Sequence, residues 1–391
     1  MNYKKLLTEE ILPKWIEITP DYEVGGVFTS FDKNSKPLTD SQKHIWFTGG
    51  RALWSYSMAH RICGERQEYL DICEHIFKFL KKCTFADGRL PLKVDRVGNA
   101  AEEPKLTYYN HMFAAMGCAQ YYRICGREDV KQQTEYYFDF MYDKYKAHRY
   151  TSQESNPNRH SKCFGLHMAM LAAMQFVRNA GIRTEKAEEL IGIALDQIEN
   201  SAFIDENLGG IHEHVALPGE QINDNDTHSS CPGHVYEAAW FVLAEGEHKN
   251  DDKIRNLGKK LIDLALPHGF EDIMPIVPTM RDLRDSFEKS ISDGIFLVWP
   301  QHEAIIAFSL AYKIFKDEKY KIIADKIEGL VNTYFERFDR TIWFRDIFVE
   351  NGDFVSSVGK GYHVNGPFHL ERYLLAMGSL QDTGEIFEYM G

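Results

Sequence analysis

Apolar residues recur along most of the chain at helical spacing. Tyr69, Ile72, His75, Ile76, Phe79 and Leu80 share one face, as do Leu257, Leu261, Leu264 and Ala265, the pattern of amphipathic helices. Strand-like alternation is scarce. Its clearest case is Ile342-Trp343-Phe344 and Phe348-Val349, followed by Asn351-Gly352 and Phe354-Val355. That predicts a short β-hairpin turning on Asn-Gly between helices near the C-terminus.

The predicted helices come in pairs with similar joints. Arg61-Ile62-Cys63-Gly64 returns 62 residues on as Arg123-Ile124-Cys125-Gly126. Weaker echoes are Arg178-Asn179-Ala180-Gly181, Glu245-Gly246, Phe315-Lys316-Asp317 and Met377-Gly378. Each is an apolar helix closing on a glycine or a charged turn. Six such joints imply a period of about 65 residues, enough for two helices and their loops. The fold class expected is all-α: six helical hairpins closed into an (α/α)6 barrel, with the β-hairpin as an insertion, and residues 1–391 forming one domain. An open solenoid is the alternative, but it requires more uniform units and polar caps. Ser201–Cys231 and Pro267–Val298 are long and irregular, as loops walling a pocket at one rim are.

Of the 391 residues 44% are apolar, enough for a sizeable core. Lys and Arg number 45 against 58 Asp and Glu, a net charge of −13 without a basic block. Nucleic acid and anionic membranes are therefore poor partners. Aromatic residues at 13% pack cores but also suit a pocket that stacks on sugar faces. The seven cysteines are odd in number, lack a CxxC pair and mostly fall in apolar helices, as expected of reduced thiols in a cytoplasmic protein. MNYKKLLTEEILPKW is broken by Thr-Glu-Glu too early for a signal peptide, and no stretch approaches a membrane span.

Four stretches carry candidate chemistry. In the first, Lys43 to Trp54, Arg51 and Trp54 are i and i+3, so the guanidinium and indole face one way. Such an arginine can hold a developing anion; an arginine lying on a core tryptophan is the other reading. The second is Cys231-Pro232-Gly233-His234-Val235-Tyr236-Glu237-Ala238-Ala239-Trp240. Pro-Gly opens a helix and puts His234 in its first turn. Glu237, one turn on, can raise the basicity of His234 while the helix N-terminus lowers it. A base poised near neutrality results, unless His234 merely caps the helix. The third is Trp299-Pro300-Gln301-His302-Glu303-Ala304, with Trp299 and Glu303 at i and i+4; the fourth, Gly366-Pro367-Phe368-His369-Leu370-Glu371-Arg372, sets His369 and Arg372 at i and i+3. His167 lies in an apolar helical run, where a satisfied core histidine is the ordinary explanation. HExxH, P-loop, GxGxxG after a strand and GxSxG are absent from the sequence, so a metal site, nucleotide cradle or nucleophile elbow has no motif behind it.

Together these stretches resemble the N-acylglucosamine 2-epimerase family, which includes cellobiose 2-epimerases and mannose and sulfoquinovose isomerases. The resemblance runs from about Gly25 to Met377. It rests on Arg51-x-x-Trp54, Pro232-Gly-His-x-x-Glu-x-x-Trp240, Trp299-Pro-x-x-Glu-Ala304 and Gly366-Pro-Phe-His-x-x-Arg372, in the family's order; Tyr109-Asn110-His111-Met112-Phe113-Ala114-Ala115-Met116 looks most like the N-acyl-hexosamine branch. It implies His234 and His369 as the acid/base pair, supported by Arg51 and Glu237. His167, Trp54, Trp299, Glu303, Arg372 and Tyr109 would bind substrate or brace the site.

The reaction implied opens the pyranose, removes the C2 proton, stabilises an enediolate at O1 with Arg51, and reprotonates C2 on the opposite face. Delivery of the proton to C1 would instead give an aldose–ketose isomerase. A glycoside hydrolase working through Glu237 and Glu303 and a non-catalytic sugar-binding protein are readings of another class. The expected partner is a monosaccharide or disaccharide, with a homodimer left open. No redox cofactor or metal is needed. A nucleotide effector such as ATP acts in some N-acyl-hexosamine epimerases, but no phosphate-binding motif supports it here. Three departures bear on the substrate. Phe47 and Gly49 stand where the family has Trp and Gln ahead of the arginine, with Trp46 shifted by one; Val298-Trp299 replaces Trp-Trp; and Glu371 replaces Pro.

Overall fold

The predicted joints fall where the backbone can turn. Gly64 and Gly126 follow helix ends with φ of 114° and 63°, values that L side chains adopt only with strain. The computed structural model describes residues 2–32, 36–100, 108–147, 161–217, 219–266, 276–292, 295–335, 346–350, 353–356 and 367–386. Its helices are α1 (Tyr3–Leu6), α2 (Leu12–Ile18), α3 (Ala52–Cys63), α4 (Gln67–Cys83), α5 (Tyr108–Cys125), α6 (Glu128–Lys146), α7 (Phe164–Asn179), α8 (Thr184–Asn200), α9 (Asp224–Thr227), α10 (Pro232–Lys249), α11 (Asp252–Ala265), α12 (Phe287–Ser292), α13 (Val298–Phe315), α14 (Glu318–Tyr334) and α15 (Pro367–Asp382). Two π-helical turns, Leu7–Ile11 and Trp46–Arg51, join α1 to α2 and lead into α3.

Helices α3, α5, α7, α10, α13 and α15 form a closed ring in which each packs on the next and α15 returns to α3. Helices α4, α6, α8, α11 and α14 each back the inner helix before them. This is the (α/α)6 barrel. The amphipathic stripes noticed first, on α4 and α11, belong to the outer layer, which has one wet face. Inner helices are covered on both sides: α7 is buried from Phe164 through Arg178.

Two expected joints move. Glu245-Gly246 lies inside α10, which ends at Lys249 with Asn250 left-handed at φ 50°. Met377-Gly378 lies inside α15, so the sixth pair is not a consecutive hairpin. Its outer helix comes from the other end of the chain. Gly378 faces Tyr3 and Lys4 of α1, and the Tyr3 hydroxyl donates to Glu328 Oε1 at 2.7 Å.

The hairpin strands are Asp346–Glu350 and Asp353–Ser356, antiparallel with Val349 opposite Phe354. Ile295–Leu297 adds an unforeseen third strand, with Leu297 opposite Asp346. Ile342-Trp343-Phe344, Asn351-Gly352 and Gly366 lie outside the described residues. Three shorter antiparallel pairs anchor segments entering inner helices: Lys43–His44 with Lys93–Val94, Ser161–Cys163 with His214–Ala216, and Ser229–Ser230 with Arg281–Asp282. The first is locked by a buried ion pair, Lys43 Nζ to Asp21 Oδ2 at 2.9 Å, which Arg96 joins at 2.8 Å. All seven cysteines are free thiols. Among the described residues no helix is long and apolar enough to cross a membrane.

Candidate active site

The inner helices run the same way, so their N-termini meet at one rim. There Trp46, Arg51, Leu92, Tyr109, Met168, Ala169, His234, Glu237, Trp299 and His369 line a pocket of about 270 Å³. Tyr109, His234, Trp299 and His369 each lie in the first turn of their helix. Converging helix N-termini favour negative charge in the space between them.

Arg51 ends the π-helical turn Trp46–Arg51. A π turn closes at i+5 where an α turn closes at i+4. Trp46, five residues back, therefore occupies the place over Arg51 that four residues back would occupy in an α-helix. The guanidinium carbon lies 4.4 Å from the Trp46 ring centroid, 4.3 Å from Phe113 and 4.6 Å from Phe368. The one-residue shift of tryptophan in the sequence is thus undone by the local helix type. Burial lowers the Arg51 pKa to about 9, with Glu237 opposing, which still leaves it a cation at neutral pH. Its Nη1 lies 3.2 Å from His369 Nε2.

Around His369, Nδ1 is 2.8 Å from Glu303 Oε1. An Nδ1–H donated to that carboxylate leaves the Nε2 lone pair facing Arg51 and the pocket. Burial, then the positive charges of Arg372 and Arg51, hold the His369 pKa well below the ordinary imidazole value, with Glu237 opposing. Arg372 closes the back of the site. Its Nη2 donates to Glu237 Oε1 and to Glu303 Oε1, the latter at 2.6 Å, and Trp240 Nε1 donates to Glu303 Oε2 at 2.8 Å.

His234 is oriented by a residue that spacing did not reveal. Its Nδ1 lies 3.0 and 3.1 Å from the two carboxylate oxygens of Glu213. The Glu213 backbone is pinned on both sides, its carbonyl accepting from Phe164 N at 2.9 Å and its N–H donating to Ser229 O at 2.7 Å. Cys163 Sγ donates to Glu213 Oε1 at 3.2 Å. Burial opposes ionisation of Glu213, but His234 outweighs it and the carboxyl pKa is lowered. Burial likewise opposes charge on His234, yet Cys231 and Glu213 prevail and hold its pKa well above the ordinary value. The two histidines are thus pushed in opposite directions, the arrangement that separates an acid from a base.

Glycine makes the close contacts here. A Cβ on Gly165 would lie 2.8 Å from His234 Nδ1, and one on Gly233 would lie 2.6 Å from the Trp299 ring. Trp299 sits between the histidines, its centroid 5.3 Å from each imidazole and tilted 36° and 35° to them.

Of the residues expected at the site, Arg51, Tyr109, His234, Glu237, Trp299 and His369 line the pocket, with Glu303 and Arg372 directly behind. Three expectations are corrected. Glu237 does not hold His234; it pairs with Arg372, and Glu213 takes that place. Trp54 is fully buried, edge-on to Phe176 and Phe368 at 5.5 and 5.0 Å, so it packs the core rather than the pocket. His167 lies behind the wall formed by its neighbours Met168 and Ala169, its Nδ1 2.7 Å from the Tyr145 hydroxyl. Glu371 faces Ser55, and burial raises its pKa to about 8 against that contact. The signal for Glu213 was the Ile211-His212-Glu213-His214 run in the long loop, but nothing in its spacing pointed to His234.

A sequence model described as N-acylglucosamine 2-epimerase (GlcNAc 2-epimerase) matches residues 26–365. An N-acylglucosamine 2-epimerase from Bos taurus is 24% identical over 388 residues, spanning 94% of this chain and 87% of its own length. A cellobiose 2-epimerase from Ruminococcus albus is 24% identical over 375 residues, spanning 90% of this chain and 92% of its own. The solved structure of cellobiose 2-epimerase from Spirochaeta thermophila shares the fold, with a TM-score of 0.82 at 17% identity and coverage of 97% of this chain and 96% of that one.

Proposed function

The chain belongs to the N-acylglucosamine 2-epimerase family, and from that premise we propose that it interconverts N-acyl-D-glucosamine and N-acyl-D-mannosamine by proton transfer at C2 of the opened sugar. At the coarser level it is a sugar 2-epimerase, an enzyme of the isomerase class. The observation that carries the finer reading is the opposite tuning of two imidazoles held on either side of Trp299 at one pocket.

His369, neutral with Nε2 toward the pocket, is the base that removes the C2 proton. The electron pair left at C2 moves into the C1 carbonyl, and charge develops on O1. Arg51 and the helix N-termini stabilise that charge without reorganising. His234, protonated and supported by Glu213, returns a proton to the other face of C2. In the reverse direction the two exchange roles, so one of the pair is always charged. Trp299 gives the sugar carbons an apolar floor. Met168, Ala169 and Leu92 supply an apolar side wall suited to the acyl methyl group. With nitrogen on C2, transfer of the proton to C1 cannot yield a 2-ketose, which restricts the outcome to epimerisation. Glu237 and Glu303 both spend their charge on Arg372, which argues against a hydrolase that uses them as its acid and base.

The test is incubation with N-acyl-D-glucosamine, N-acyl-D-mannosamine, glucose, mannose and cellobiose in D2O, followed by NMR at C2. Deuterium entering C2 of the N-acyl sugars with inversion is expected. Exchange confined to the free aldoses or cellobiose would overturn the substrate, and a ketose product would overturn epimerisation. His234→Asn and His369→Asn should each abolish epimerisation in folded protein; near-normal epimerisation in either removes that residue from the role.

A further inference from the structure

Two clusters of metal-ligating side chains flank the pocket: Glu237, Glu303 and His369 on one side, and Glu213, Cys231 and His234 on the other, the ligand atoms of each lying within 4.8 Å of one another. In the first, the guanidinium of Arg372 already supplies the cation. In the second, the positive partner of Glu213 is His234 itself, a charge that can be given up.

We propose that Cys231, His234 and Glu213 form a binding site for zinc or a similar borderline divalent cation, and that occupancy of this site switches the enzyme off. Thiolate, imidazole and carboxylate are the donors zinc selects, and four-coordinate zinc accepts all three together. Each of these residues is at least largely buried, the side chain of His234 being 29% exposed and that of Glu213 6%; Cys231 is 3% exposed. Backbone bonds fix Glu213 from both sides, and Cys231 immediately precedes the first turn of α10, which carries His234. The donors are therefore held by the fold before an ion arrives.

Binding expels the proton between His234 Nδ1 and Glu213, and any proton on the Cys231 sulfur, to solvent. No electron transfer is involved. With the cation on Nδ1, the ring keeps its Nε2 proton as a neutral ligand. To give that proton to C2 it would have to become an imidazolate, so it stops cycling near neutral pH. This inhibitory consequence rests on the role proposed for His234; the binding site itself does not.

The experiment uses the full chain and two probes. Co2+ is added first, and the thiolate-to-cobalt charge-transfer absorption is followed. One cobalt per chain with that band is expected. Cys231→Ser should lose the band and weaken binding roughly 100-fold or more. Zn2+ is then added during epimerisation of the N-acyl sugar. Inhibition reversed by EDTA is expected for the native chain, with none at the same concentration for Cys231→Ser, each rate being taken relative to the same protein without metal. Absence of the thiolate band overturns the site, whatever the sugar activity proves to be. A band without inhibition overturns the switch alone, and inhibition that persists in Cys231→Ser places the ion elsewhere. Should Cys231→Ser not fold, Cys231→Ala replaces it, and the band on the native chain decides by itself.

Discussion

Replacing Glu213 with glutamine changes one charge and almost no volume. In the native site both carboxylate oxygens lie within 3.1 Å of His234 Nδ1, in a position where Glu213 is 6% exposed. A hydrogen bond to a charged partner contributes about 1.5–3 kcal/mol, and one between neutral groups about 0.5–1.5 kcal/mol. The amide carbonyl of glutamine can still accept from Nδ1, so the variant loses the difference, about 1.5 kcal/mol. That corresponds to roughly one pKa unit, removed from an imidazole now held well above its ordinary value.

The sign follows from the state each histidine needs. His369 must be neutral, so activity rises as pH climbs through its depressed pKa. His234 must be charged, so activity is present below its raised pKa and lost as pH rises through it. These limbs belong to the coupled pair rather than to either ring alone. In Glu213→Gln the alkaline limb should move down by about one unit while the acid limb stays. At the alkaline end kcat/KM should fall roughly tenfold, since 1.36 kcal/mol is a factor of ten. The assay is the pH profile of epimerisation at C2 in native and variant protein. An unmoved alkaline limb, or a uniform loss at every pH, would refute the coupling between Glu213 and His234.

Two further substitutions test the surroundings. Gly165→Ala would ordinarily stabilise a helix by about 1 kcal/mol, but here the new methyl meets His234 Nδ1 at 2.8 Å and Glu213 Oε1 at 3.1 Å; kcat should drop at least about tenfold while Tm falls little, and unchanged kcat would show that the imidazole has room to move. Arg372→Met leaves Glu237 and Glu303 buried without their cation, which should cost about 3–5 kcal/mol in urea unfolding, and a loss below about 1 kcal/mol would mean that the two carboxylates find compensation elsewhere.

How much of this was legible in the sequence depended on whether a feature lives along a helix or between segments. The outer helices announce themselves because one wet face and one dry face impose a period. The inner helices do not, since burial all round erases the stripe, and their starts were found through Pro-Gly, Trp-Pro and Gly-Pro-Phe-His instead. The sixth outer helix was missed because α1 is far from α15 in sequence, and no local signal records that Gly378 faces Tyr3 and Lys4.

The same division explains the site. His234, Trp299, Glu303, His369 and Arg372 sit on helices, and their spacing survives into geometry. Glu213 reaches His234 through the pairing of Ser161–Cys163 with His214–Ala216, a contact between segments far apart in sequence that helical periodicity cannot express. The tryptophan over Arg51 failed for a different reason. Counting back by four assumes an α-helix, and the turn Trp46–Arg51 is π-helical. What looked like a substitution of Trp by Phe47 is a change of helix type that keeps an indole on the guanidinium. The cation–π contact and the arginine's reach to His369 are therefore one feature of the backbone. A change that restored α-helical spacing in this turn would remove the indole from Arg51 without altering any residue of the proton-transfer pair.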